Sequence, residues 1–239
     1  MTLNKNLPQP QNDEDAGLRY IRSVATLIDI VRSKEWDSIN RAADAVATAI
    51  ATEHVVHVFG TGHSHILAEE LYYRAGGLVA IKPLLFDGLM IHHNVEQSTA
   101  LERLPGLAAA ILADRTVEAG DVFIIASNSG GNATVVECAQ IAADAGATVI
   151  AVTSIAHATS PSARETGLPR LHELAAIVID NHGEPGDASV RIPGLDKRVG
   201  PTSTAVGATI VNAIVVQAAQ LLTSRGHAPN VYTSLNTSV

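Results

Sequence analysis

Five apolar runs of strand length, separated by segments of helical spacing, constrain this chain more than any other feature. They fall at 54–59, 78–85, 122–126, 147–153 and 175–180. Segments 66–75, 98–113 and 133–145 lie between them and carry helical periodicity, with Pro105-Gly106 interrupting the second. Strands that are apolar on both faces and alternate with helices belong to a parallel sheet covered on both sides, and the crossovers of such a sheet are right-handed. The expected fold is therefore α/β: a doubly wound three-layer α/β/α sandwich around a five-stranded parallel sheet, for which the order adopted is the flavodoxin-like 2-1-3-4-5.

Two helices precede the alternation. One starts at Leu18, with Ile21, Val24, Ala25, Ile28 and Val31 on one face, and the next spans 38–51. A long apolar helix, 205–222, closes it and is followed by a polar tail. Residues 1–15 are polar, include two prolines, and read as a flexible N-terminus. Residues 16–239 then form a single domain with an N-terminal helical pair and a C-terminal helix and tail.

In a sheet of this order the first and third strands are neighbours, and ligands gather at their carboxyl ends. Both strands lead into turns rich in Gly and small polar residues. The first reads Gly60-Thr61-Gly62-His63-Ser64-His65 and the third Ser127-Asn128-Ser129-Gly130-Gly131-Asn132, each followed by a helix start. Such a turn supplies hydroxyls, backbone N–H groups and the positive end of a helix dipole, which together suit an anion. The first turn has no third glycine at dinucleotide spacing, so an isolated phosphate fits better than NAD. A third hydroxyl-rich helix start, Thr202-Ser203-Thr204, follows the Gly- and Pro-rich stretch 181–201. That stretch is long for a plain connector, and it offers Asp187, Arg191, Asp196, Lys197 and Arg198 as contacts to a ligand.

Composition removes several alternatives. A formal charge of −8 with scattered Lys and Arg speaks against nucleic acid or an anionic membrane surface as partner. Aromatics at 3% leave no platform for stacking bases. The lone Cys138 permits no internal disulfide, the N-terminus lacks the order of a signal peptide, and no uninterrupted apolar run reaches membrane-spanning length. A cytoplasmic location is expected. The ten histidines match no compact zinc spacing, so neither a metal nor another cofactor is expected.

Taken together, GTGHS, SNSGGN and TST resemble the SIS (sugar isomerase) domain, over about residues 38–225. GTGHSHILAEEL with YYRAGG, the ALERLPG segment and VGPTST are most similar to the UPF0309-type branch. The resemblance implies a five-stranded α/β/α sandwich, phosphosugar binding, and usually a homodimer with active sites near the subunit interface. It places Ser64, Ser127, Ser129 and Asn132 at the phosphate. Gly62, His63, Asn128, Gly130, Thr202 and Ser203 complete the expected substrate-binding set. Two departures stand out. Gly131 and Asn132 occupy positions where relatives often carry a glutamate and a hydroxyl residue, and His63 stands where one branch often has lysine.

Aldose–ketose isomerisation moves a proton between C1 and C2 through an enediolate, so it needs a base beside the bound sugar. Glu69 and Glu70 follow Ser64 on the next helix, and Glu70 is the first candidate by analogy with relatives whose base lies on that helix. Glu102 in ALERLPG is another, and His182, after the last strand, is a second acid or base. Each has a plain alternative: solvated helix carboxylates, an ion pair of Glu102 with Arg103, a loop cap for His182. The expected function is a sugar-phosphate isomerase. The alternatives are a phosphosugar lyase or etherase and a non-catalytic sugar-phosphate sensor.

Overall fold

The computed structural model describes residues 15–234 and 236, apart from 162, 164 and 165. The stretch expected to be a flexible N-terminus lies, but for Asp15, outside the described residues. In chain order the elements are α1 (Ala16–Lys34), α2 (Trp36–Ala51), β1 (Val56–Gly60), α3 (His65–Leu71), β2 (Ile81–Leu84), α4 (Val95–Leu101), α5 (Leu107–Ile111), β3 (Val122–Ala126), α6 (Ala133–Asp144), β4 (Thr148–Thr153), α7 (Ile155–Ala158), α8 (Leu171–Leu174), β5 (Ile177–Asp180), β6 (Ala188–Val190), β7 (Val199–Pro201) and α9 (Ser203–Ser224).

Strands β1 to β5 form one parallel sheet, as the alternation predicts, and its order β2-β1-β3-β4-β5 is the expected one. Successive side chains of a strand face opposite layers, and both layers here are dry. Val56, Val58, Ile124, Ile150 and Ile179 face the layer of α2, α3 and α9, whereas Phe59, Phe123, Ile125, Val149 and Ala151 face that of α5 and α6. Two dry faces explain why the strands read as unbroken apolar runs. Each buried branched side chain contributes about 1.5–3 kcal/mol of transfer free energy. Alanines such as Ala42, Ala43, Ala139 and Ala142, all fully buried, let the helices approach closely.

By length and composition α9 is apolar enough to cross a membrane, which the sequence reading did not anticipate. Its Ile210, Val211, Ile214 and Leu222 are buried in the core shared with α2 and the sheet.

Three segments differ from the sequence reading. Leu78 does not enter the sheet: it bridges Val231 of the tail, and Val79 N donates to Asn230 O (3.0 Å) and Tyr232 N to Gly77 O (3.0 Å). Helix α3 ends at Leu71 rather than near 75, because Tyr72 is extended and Tyr73 has φ 45°. The stretch 181–201 contains an antiparallel hairpin, β6 with β7, pairing Ala188 with Pro201 and Val190 with Val199.

Candidate functional site

The register sets β1 and β3 level at their carboxyl ends, with Gly60 opposite Ala126. The two polar turns therefore leave the sheet side by side. After Gly60 the chain doubles back so tightly that a Cβ there would lie 2.5 Å from the carbonyl oxygen of Ser64. Only glycine permits that path. In the second turn Gly130 holds φ 60°, and its N–H donates to Ser127 Oγ (3.1 Å) while its carbonyl accepts from Leu171 N (2.8 Å). Asn128 Oδ1 accepts from Asn181 Nδ2 (2.7 Å), which ties the second turn to the end of β5.

Between the turns lies an open crevice of about 280 Å³. His63, Ser64, Ser127, Asn128, Ser129 and Asn132 line it, as the sequence predicts. The hydroxyls of Ser64 and Ser129 have no hydrogen-bond partner among the described residues. The lining contains no Lys or Arg, so a bound anion would be met by hydroxyls, amides and imidazole.

Glu102 is the expected catalytic residue that the structure brings into the crevice. Its backbone carbonyl accepts from Thr134 N (3.2 Å), and Thr134 Oγ1 donates to Leu101 O (3.1 Å), so the end of α4 is fastened to the start of α6. Farther along, Gly106 N donates to the Glu137 carboxylate at 2.9 Å. Held from both sides, Glu102 points into the crevice, where its Oε2 accepts from Thr61 Oγ1 (3.0 Å). That bond replaces the ion pair with Arg103 considered from sequence.

Glu69, Glu70 and His182 are not brought into the crevice. Leu67 and Leu71 turn the inner face of α3 onto the core, and Glu70 falls on the seam with α9, ion-paired to Arg74 and accepting from Asn212 Nδ2 (2.8 Å). Glu69 lies 3.5 Å from His65 Nε2, half exposed. The His182 side chain turns to the α1–α2 junction, with Nε2 2.9 Å from Glu35 Oε1 and Nδ1 3.4 Å from Asp180 Oδ2. Nor do the donors at the α9 start remain open. The Asp187 carboxylate accepts from Thr202 N (3.1 Å), Ser203 N (2.9 Å), Ser203 Oγ (2.5 Å) and Thr202 Oγ1 (3.3 Å). Thr202 is 2% exposed and does not line the crevice; Ser203 does, with its hydroxyl proton committed to Asp187.

Two lining residues carry more weight than the sequence reading gave them. Asp187 borders the crevice from the hairpin, with φ 61°. His157, at the α7 turn, accepts from Gly186 N through Nδ1 (3.1 Å). A neutral imidazole that accepts at Nδ1 carries its proton on Nε2, so His157 is set as a donor. Gly131 completes the picture. A side chain at that position would run into the guanidinium of Arg170, whose Nη1 donates to Ser129 O (3.3 Å). Where relatives often place a carboxylate, this chain places a cation behind the loop. Among the described residues no group of three or more His, Cys, Asp or Glu is positioned to hold a metal ion.

The sheet order and paired Ser/Gly turns define a protein of the sugar-isomerase type of α/β sandwich. The SIS domain description matches residues 19–154, and the chain belongs to the SIS domain family. Within it, the chain is 39% identical over 217 residues to a UPF0309 protein of Listeria innocua, covering 91% of this chain and 88% of that one. It is 40% identical over 218 residues to a UPF0309 protein of Brucella canis, with the same coverage. Among solved structures, a phosphoheptose isomerase from Francisella tularensis superposes with TM-score 0.57 at 17% identity, over 85% of this chain and 96% of that one. The Vibrio vulnificus NanR protein complexed with ManNAc-6P gives 0.52 at 20% identity, over 90% and 64%. Identities this low show a shared fold.

Proposed function

We propose that the crevice binds the phosphate of a phosphorylated sugar and that the protein is a sugar-phosphate isomerase with Glu102 as its base. The observation that carries the reading is the placement of Glu102, a carboxylate fixed by Thr61 on the same crevice as the Ser64 and Ser129 hydroxyls. The phosphate docks against the two turns and the start of α6, which anchors the sugar. Glu102 takes the C2 proton of the aldose, leaving an enediolate, and returns a proton to C1; the hydroxyl proton passes from O2 to O1 in the same interval, with the Nε2–H of His157 as the donor beside the oxygens. Structural neighbours that are phosphoheptose isomerases agree with this reading. We further propose a cytoplasmic homodimer, supported by exposed Tyr72, Tyr73, Leu85, Phe86 and Val95.

A second reading, a sugar-phosphate sensor, is favoured by one observation: at Gly131 the turn has no carboxylate. Incubating the protein with a panel of aldose and ketose phosphates in D2O separates the two. The isomerase exchanges the C2 hydrogen, and Glu102→Gln keeps the thermal shift given by the ligand while exchange falls by roughly 10²–10⁴. Binding without exchange in the wild type establishes the sensor, and no thermal shift with any sugar phosphate removes the whole proposal.

A further inference from the structure

Asp187 also borders a second cavity, of about 340 Å³, between α1 and the β6–β7 hairpin. Arg19, Arg22, Ser23 and Thr26 contribute its α1 wall. Residues 19, 22, 23 and 26 share one helical face, so the two guanidinium groups and the hydroxyls are presented together. The hairpin side supplies Ser189 and two acids, Glu184 and Asp187, which are already engaged: Glu184 is ion-paired with Arg198, and Asp187 with the α9 start. Glu184 is thus neutralised by Arg198 and the Asp187 oxygens are occupied by N–H and O–H donors, which leaves Arg19 as the cation presented on the α1 wall. Arg19 Nη1 donates to Arg191 O (3.1 Å), whereas its Nε is buried and has no hydrogen-bond partner. A buried N–H without an acceptor is costly, and costlier on a charged group.

We propose that this cavity is a second anion site, separate from the crevice, that takes the phosphate or carboxylate group of a small metabolite on Arg19, with Arg22 at its rim and the Thr26 hydroxyl as a further donor. A planar guanidinium fork matches either oxyanion. The volume admits a ligand of a few carbons in addition to the anion, lying along Leu27 and Ala188.

The test is amide chemical-shift mapping of the full chain titrated with inorganic phosphate and, separately, with malonate, which distinguish a phosphate from a carboxylate preference. Saturable shifts are expected at 19–27 and 184–189 with at least one of the two anions. Crevice amides at 61–64 and 128–132 report the other site separately, so the two proposals fail independently. Arg19→Gln should weaken the α1 response by roughly tenfold or more, while Ser129→Ala leaves it unchanged. Thr26 is exposed, and Thr26→Glu places a carboxylate in the cavity, four residues from Arg22, while leaving both arginines and the core unmutated; it should abolish the response even if Arg19→Gln fails to fold. Absence of saturable shifts on α1 and the hairpin with both anions overturns the proposal, as does a response that survives Thr26→Glu.

Discussion

Replacing Asp187 by alanine tests how the hairpin, the crevice and the longest helix are joined. Four donors converge on this carboxylate, two from the backbone of α9 and two from hydroxyls. Loss of a helix N-cap costs about 0.5–2 kcal/mol. Thr202 is almost wholly buried, so its hydroxyl would lose its acceptor away from water, at a further cost of about 1–3 kcal/mol, while its N–H keeps the Asp187 backbone carbonyl (3.3 Å). The left-handed backbone at this position suits Asp better than Ala and adds to the loss. The sum is about 1.5–5 kcal/mol, and a domain of this size loses roughly 2–4 °C in Tm per kcal/mol. Asp187→Ala should therefore melt roughly 3–20 °C below the wild type, while Asp187→Asn, which keeps one acceptor oxygen and tolerates the backbone, should lose less than half as much. Urea unfolding followed by far-UV circular dichroism gives the free energies. If Asp187→Ala stays within about 0.5 kcal/mol of the wild type, the carboxylate is not the cap it is taken to be.

Four other outcomes can be checked. Burial holds the His57 imidazole below its usual pKa despite the nearby Asp121 charge, so the folded state prefers it neutral; stability should be complete above about pH 6.5 and decline as pH falls below that value, a loss removed by His57→Phe in a pH series of melts. Asp121 reinforces the trend at lower pH. Although burial opposes ionisation, the N–H groups of Glu118 and Val55 hold its carboxyl below the usual value, and the stability it supplies disappears only as pH falls through that lowered pKa. The Cys138 thiol, pushed up to about 12 by burial, should resist alkylation in the folded protein and react promptly in urea. Glu70→Ala should leave C2 exchange intact, since Glu70 serves the α3–α9 seam; an exchange rate lowered more than roughly tenfold would return Glu70 to the chemistry.

Legibility from sequence followed locality. The five strands were visible because burial on both faces makes each an apolar run, and the parallel sheet followed from the alternation, which does not itself fix the order of the strands. Strands β6 and β7 were hidden, since three-residue strands in a Gly- and Pro-rich stretch show no alternation. The first two turns were legible because residues adjacent in sequence line the crevice. What lies far apart in the chain was not. Asp187 reaches Thr202 across 15 positions, His182 meets Glu35 across 147, and Glu70 meets Asn212 across 142. Each contact removes a group from the crevice or commits it elsewhere, and no spacing rule announces it. Glu102 was identified from its motif, but its position depends on Thr134 and Thr61, which sequence alone does not connect to it.

The level register of β1 and β3 has an evolutionary consequence. Both turns spring from the middle of the sheet, where local opening is rarest, whereas the hairpin and α7 form the rim from short pieces. The turns and the rim are thus mechanically distinct parts. If the crevice binds as proposed, substitutions at rim positions that hold no other element, unlike Asp187, can change which molecule is admitted while the turns that would meet its charged end stay intact.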